Sequence, residues 1–297
     1  MKAELDRREF LKLSGLGAVV LACDLGGWGS ALASAQKDFF FVQLSDTHIG
    51  FNDPKVNPDY AGTLAKAVAQ VNGLKRQPDF VVFTGDLTHT TDDDNERRKR
   101  LAQFKKIASS LKVKNVRFLP GEHDAALDNA KAYMEFFGQT HYVFSHKGVN
   151  FIALDNVSDP HSQVGEAQLQ WLGTELKRMD KKTPIVVLTH RPLFPLYPDW
   201  DWDTKDSDKV LDLLAPYQNV TVLYGHIHQL NDKQTGQIYQ HAAHGLMYPL
   251  PAPGSVPKKA PIPWDPAQPY KDLGFRGVTT KPGPAQPELG EYPVKGA

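Results

Sequence analysis

Short apolar runs alternate along the chain with longer stretches whose apolar positions recur every three or four residues. A compact apolar run bounded by turn residues reads as a buried strand, and the longer period reads as one face of a helix. Phe39-Phe40-Phe41-Val42-Gln43-Leu44 is the first such strand, and Ala61 to Leu74 the first helix. Asp79 to Thr84 and Val116 to Leu119 are the next strands, with Asp128 to Phe137 helical after them. His141 to Ser145 and Val149 to Leu154 flank Lys147-Gly148 as a hairpin. Gly165 to Met179 is helical, Pro184 to Thr189 a strand, Ser207 to Leu214 a helix and Val220 to Tyr224 a strand. Alternation of this kind predicts layered α/β architecture, and the hairpin predicts a mixed sheet or two packed sheets.

Polar positions refine this picture. Asp92-Asp93-Asp94 precede Arg97, Arg98, Lys99 and Arg100, acids before bases as a helix dipole prefers, so this run reads as a solvated helix face. From Pro249 the pattern breaks down, because 12 of the 22 prolines lie between there and the end. Proline removes backbone donors and disfavours helix, so residues 249–297 read as an extended tail that packs at points through Trp264, Tyr270, Phe275 and Tyr292.

The N-terminus carries an address. Asp6-Arg7-Arg8-Glu9-Phe10-Leu11-Lys12 precedes a weakly apolar run, Leu13 to Ala22, and resembles a twin-arginine export signal. The run is too short to span a bilayer as a stable helix. Ala33-Ser34-Ala35 offers a peptidase site, giving a signal over 1–35, a globular domain over 36–248 and the tail over 249–297. Lipid attachment at Cys23 is the alternative. The expected location is periplasmic or otherwise exported, the expected partner is the twin-arginine machinery, and no span remains in the mature chain.

Charge narrows the partners. Lys+Arg and Asp+Glu both number 34 in 297 residues, which disfavours a nucleic-acid binder and permits a small anionic substrate held by metals. The single cysteine excludes an intramolecular disulfide and a thiolate-rich metal site.

The candidate chemistry follows the strands. Asp46-Thr47-His48 follows the first, Gly85-Asp86 the second and Gly121-Glu122-His123-Asp124 the third; His190-Arg191 and Gly225-His226-Ile227-His228 follow the last two. Ligands in open α/β sheets gather beyond the carboxyl ends of strands, so these five clusters can converge at one edge. Carboxylate oxygen and imidazole without thiolate suit iron, manganese or zinc. Each motif alone is weak; five in this order are not.

The series is similar to that of the calcineurin-like metallophosphoesterases. The segments around Asp46 and Asp86 look most like bacterial class III cyclic nucleotide phosphodiesterases, and the resemblance covers about Phe39 to His228. It implies a four-layer α/β fold, a mixed β-sandwich flanked by helices, and two metal ions. It implies that Asp46, His48, bridging Asp86 and His228 hold the first ion, and Asp86, Glu122, His190 and His226 the second. It implies that His123, oriented by Asp124, stabilises the transition state or protonates the leaving oxygen while a metal-bridging hydroxide attacks a phosphate ester, a phosphodiester favoured over a monoester. The family has Asn where this chain has Glu122, which adds a negative charge. A non-catalytic metal- or phosphate-binding envelope protein is the alternative that this departure leaves open. His89 and Arg191 are further candidates for substrate contact, and Tyr197, Trp200 and Trp202 read as packing residues near the pocket.

Overall fold

The computed structural model describes residues 38–281 and 286–296. The export-signal expectation over 1–35, with Cys23, lies outside the described residues. The strands are β1 (Phe39–Leu44), β2 (Phe80–Thr84), β3 (Val116–Leu119), β4 (Tyr142–His146), β5 (Val149–Ala153), β6 (Ile185–Leu188), β7 (Val220–Tyr224), β8 (Asn231–Thr235), β9 (Ile238–Ala242), β10 (Gly274–Thr280) and β11 (Glu288–Pro293). The helices are α1 (Thr63–Asn72), α2 (Asp94–Ala108), α3 (Glu122–Ala125), α4 (Lys131–Phe137), α5 (Glu166–Leu176) and α6 (Ser207–Leu214).

The strands form two mixed sheets, ordered β11-β10-β1-β2-β3 and β4-β5-β6-β7-β9-β8. Side-chain alternation along β1 explains how they pack. Phe39 and Phe41 face the second sheet and join Phe80, Val82, Phe151, Leu188 and Leu223 in an inter-sheet core. Phe41 lies 4.7 Å from Phe80, nearly parallel, and 5.5 Å from Phe151, edge-on. Phe40, Val42 and Leu44 face the other way, against Leu64, Val68, Phe104 and Tyr133 of α1, α2 and α4. On the far side, Leu169, Leu172 and Leu176 of α5 and Val210 and Leu214 of α6 cover Ile152, Val187 and Val222. The result is the expected four layers, helix–sheet–sheet–helix. Asp93 caps α2 by accepting from the backbone N–H of Asn95 and Glu96, so the acidic run begins that helix as its charge order suggests.

The segment from Pro249 departs from the expected tail. Gly274–Thr280 lies inside the first sheet, antiparallel to β1 on one side and to β11 on the other. Its pattern, Gly-Phe-Arg-Gly-Val-Thr-Thr, hides this role because both glycines and a buried arginine break the apolar alternation. Gly277 sits where a Cβ would come within 2.6 Å of the Phe40 ring and 2.8 Å of Tyr292, so the gap in the pattern is room for two rings. Arg276 is buried because Nε meets Glu291 Oε1 at 2.6 Å and an Nη2–H bonds the Ala242 carbonyl at 2.7 Å. Among the described residues, no helix is long and apolar enough to cross a membrane.

Candidate metal centre

Five of the parallel strands, β1, β2, β3, β6 and β7, end at one edge of the sandwich, and the segments after them carry the candidate residues. β1 and β2 stay in register past their ends: Asp46 N–H bonds Gly85 O at 3.1 Å, and His48 N–H bonds Asp86 O at 2.9 Å. Asp46, His48, Asp86, His226 and His228 all have positive φ, between 40° and 66°. Non-glycine residues rarely adopt this conformation, and clusters of them mark places where the surrounding fold enforces strain for function. Gly85 has φ +97°, and a Cβ there would meet His190 Nδ1 at 2.3 Å, so only glycine lets the strand end pass the imidazole.

The side chains form two groups. Asp46, His48, Asp86 and His228 are all buried, with ligating atoms within 4.8 Å of one another. Glu122, His190 and His226 form the second group within the same limit, with Glu122 partly exposed. Asp86 Oδ2 joins them, 3.5 Å from His48 Nε2 and 3.4 Å from His190 Nε2. All seven expected ligands are thus brought together, with one carboxylate oxygen between the groups.

Hydrogen bonds on the far side of each ring fix what the rings present. His190 Nδ1–H donates to the Thr84 carbonyl at 2.7 Å, His228 Nδ1–H to the Tyr248 carbonyl at 2.6 Å, and His226 Nε2–H to the Asp201 carbonyl at 3.0 Å. A carbonyl only accepts, so each neutral ring turns a lone pair towards the centre. These lone pairs lack ordinary partners. His190 Nε2, His226 Nδ1 and Glu122 Oε2 are buried without a hydrogen bond. Yet His190 Nε2 is 3.0 Å from Glu122 Oε2, and His226 Nδ1 is 2.9 Å from Oε1. His48 Nε2 and His228 Nε2 face each other at 3.1 Å. Converging acceptors without donors are costly unless a cation is shared among them, so the donor set fits metal ions.

Without a cation in the centre, the clustered carboxylates draw protons onto the rings beside them. Burial would raise the Glu122 carboxyl, but His226, Arg191 and His190 hold it well below the usual range. Burial would lower His190, but Asp86 and Glu122 hold it well above its ordinary value. Burial lowers His48 well below its ordinary value, aided by the neighbouring imidazoles of His123 and His228.

The His123–Asp124 relation differs from expectation. Asp124 does not orient His123: its carboxylate accepts from the backbone N–H of Leu87 (2.9 Å), Thr88 (2.8 Å) and Gly121 (2.9 Å) and from Thr88 Oγ1 (2.8 Å). Adjacent residues on a helical turn point in different directions, so one cannot brace the other. Asp124 instead pins the loop carrying Asp86 to the start of α3, and burial with neighbouring Asp86 raises its pKa to about 6. His123 is braced by Thr90, whose N–H reaches Nδ1 at 3.2 Å and whose hydroxyl lies 2.5 Å away. His89 stacks on His123 with centroids 4.9 Å apart and bounds the centre beside His48.

Arg191 is engaged by its neighbours. Its guanidinium bonds the Asp201 carbonyl at 2.8 Å and Asp201 Oδ2 at 2.7 Å, and Nε lies 3.7 Å from Glu122. Trp200 and Trp202 are buried with Phe194, Tyr224 and Ile227. Two residues were missed in the sequence. Tyr248 stacks on His228 and His48 with centroids 4.6 and 5.0 Å away, and Lys259 lines the cavity over the centre. Both lie after the last motif, and neither belongs to one. That cavity measures about 160 Å³. A larger groove of about 830 Å³ between α5 and α6 holds none of these groups, so chemistry and not size marks the site.

This fold and this cluster are those of a metal-dependent phosphoesterase. The chain belongs to the calcineurin-like phosphoesterase family, whose sequence profile matches residues 41–230, and it is a metallophosphoesterase, a hydrolase. It is 28% identical over 204 residues to a probable glycerophosphodiester phosphodiesterase of Arcobacter nitrofigilis, covering 64% of this chain and 72% of that one. It is 26% identical over 201 residues to a 3',5'-cyclic adenosine monophosphate phosphodiesterase of Haemophilus influenzae, covering 63% and 69%. The fold is also that of a dimetal phosphatase from Danio rerio, with a TM-score of 0.58 and 16% identity over 86% of this chain and 99% of that one.

Proposed function

We propose that this chain hydrolyses small phosphodiesters outside the cytoplasm, with one metal ion on Asp46, His48, Asp86 and His228 and a second on Asp86, Glu122, His190 and His226. The carrying observation is the set of imidazoles locked by backbone carbonyls, with lone pairs converging on carboxylates around Asp86 Oδ2. The chemistry supplied when ions are bound is Lewis-acid stabilisation of phosphoryl charge and an acidified water. The donors suit iron, manganese or zinc. The diester preference rests on likeness to relatives named as phosphodiesterases.

The chain's own residues handle the leaving group. Thr90 N–H donates to His123 Nδ1, so in the neutral ring the proton sits on Nε2, which faces Asp86 and the cavity. That N–H donates a hydrogen bond to the oxygen on which charge develops, a stabilising role worth roughly 10²–10³-fold. Asp124 keeps the Asp86 loop and α3 at fixed separation, and the buried rim of His228 and Tyr248 excludes water from one side.

Export rests on the paired arginines of the first 35 residues, and N-terminal sequencing of secreted protein checks it. The reaction is checked by metal content and bis-p-nitrophenyl phosphate hydrolysis for the parent and His123→Ala. Two metals per chain with turnover is the expected result, and with an alkyl diester such as a glycerophosphodiester, whose leaving oxygen needs the His123 N–H, kcat should be about 10²-fold lower in His123→Ala at unchanged metal content. Metal binding without turnover, indifferent to His123, would instead make this a binding module.

A further inference from the structure

We propose that Lys259, carried over the site by the Pro-rich segment, binds the anionic oxygens of the substrate phosphate. The proposal rests on the phosphodiesterase reading and names a substrate contact outside the family-matched residues. The cavity over the centre is lined by carboxylates, imidazoles, Tyr248 and one lysine, Lys259. Arg191, the other cation close by, already has both ends of its guanidinium on Asp201.

Lys259 is held but not neutralised. Its ammonium donates to the Trp200 carbonyl at 2.5 Å, the one acceptor it has among the described residues, and no carboxylate there lies within ion-pair distance of it. An ammonium has three donors, so two remain for a ligand. The group is half-buried, and burial lowers its pKa, as expected for a charge lacking a close counter-ion. A half-buried cation with spare donors beside a phosphoesterase centre fits the oxygens of a phosphodiester.

The segment is built to hold that position. Gln229 Nε2 bonds the Pro251 carbonyl at 3.0 Å, Ile262 N–H the Pro249 carbonyl at 3.0 Å, and Trp264 N–H the Lys55 carbonyl at 2.8 Å. Pro251, Pro253, Pro257, Pro261 and Pro263 limit its alternatives further. A preorganised donor spends less freedom on binding than one on a free loop.

The test uses the metal-loaded full chain, Lys259→Met and Lys259→Arg. Metal content, inorganic phosphate affinity by calorimetry, and KM and kcat for bis-p-nitrophenyl phosphate are measured for each. Lys259→Met is expected to keep its metal, bind phosphate roughly ten- to hundredfold more weakly and raise KM with kcat little changed. Lys259→Arg is expected to recover most of both. Phosphate affinity and KM within twofold of the parent in Lys259→Met overturn the proposal, as does loss of metal from that variant, which would make Lys259 a prop for the centre. If no form turns over diesters yet Lys259→Met alone loses phosphate, the phosphodiesterase reading fails and the Lys259 contact stands.

Discussion

The two halves of the metal centre are built differently. Asp46, His48, Asp86 and His228 are all buried, and all four sit on strained, left-handed backbone, as does His226 of the second group. The second group depends on Glu122, which opens a short helix, has ordinary backbone and leaves its side chain 22% exposed. The closed half is part of the fold, because Asp46 accepts the His226 N–H at 3.1 Å and its removal orphans a buried donor. The open half is an attachment, held by Arg191 and two imidazoles around an adjustable carboxylate. One half fixes the position of the chemistry, and the other leaves room to tune it.

Asp86 is where the comparison breaks entirely. Asp86→Asn removes the charge shared by both groups, so both ions should be lost and kcat/KM should fall by roughly 10³-fold or more. Elemental analysis and steady-state kinetics read this directly; retention of one tightly held ion would show that the halves are independent. Asp46→Ala against Glu122→Ala separates fold from attachment. In metal-free protein, Asp46→Ala should cost about 1–3 kcal/mol in urea unfolding for the unpaired His226 N–H, and Glu122→Ala clearly less. Equal costs would make the distinction empty.

Glu122→Asn sharpens the contrast. It removes one negative charge and leaves an oxygen ligand, so the second ion should bind more weakly, seen in stepwise metal titration, with kcat within about tenfold of the parent. The smallest effect concerns the edge remote from the site. Asp79 accepts from Phe40 N–H at 3.3 Å and His146 Nε2 at 3.1 Å and pairs with Lys147. Burial raises its pKa, but Lys147, the Phe40 amide and His146 outweigh it and hold the carboxyl below the usual range. A folded value below the unfolded one gives stability that is present above about pH 4 and lost as pH falls through the folded value. Urea midpoints for the parent and Asp79→Asn should differ at pH 7, by under about 1 kcal/mol, and converge towards pH 3.

Much of this was legible in the chain, for physical reasons. Phe39 to Leu44 reads as a strand because every position is buried, and its side chains serve two cores. The metal-group residues were legible because parallel strands deliver their successors to one edge. What was hidden depends on long-range packing. β10 is broken by Gly277, whose missing side chain is filled by rings from β1 and β11. Asp124 was read as a partner of its neighbour, but a helical turn sends it to Leu87 and Thr88. Lys259 and Tyr248 have no motif, because only the path of the proline-rich segment brings them over the centre.

The position of β10 also governs how this protein can be made. β1 is synthesised about 230 residues before its partner on one side, Gly274–Thr280. At ~5–20 residues per second, Phe-Phe-Phe-Val-Gln-Leu waits on the order of ten to fifty seconds with an uncovered edge. Such a flat apolar edge is a template for pairing with other chains. Until Gly274–Thr280 is made, that edge of β1 stays unpaired, and a truncation before residue 274 would leave it so permanently.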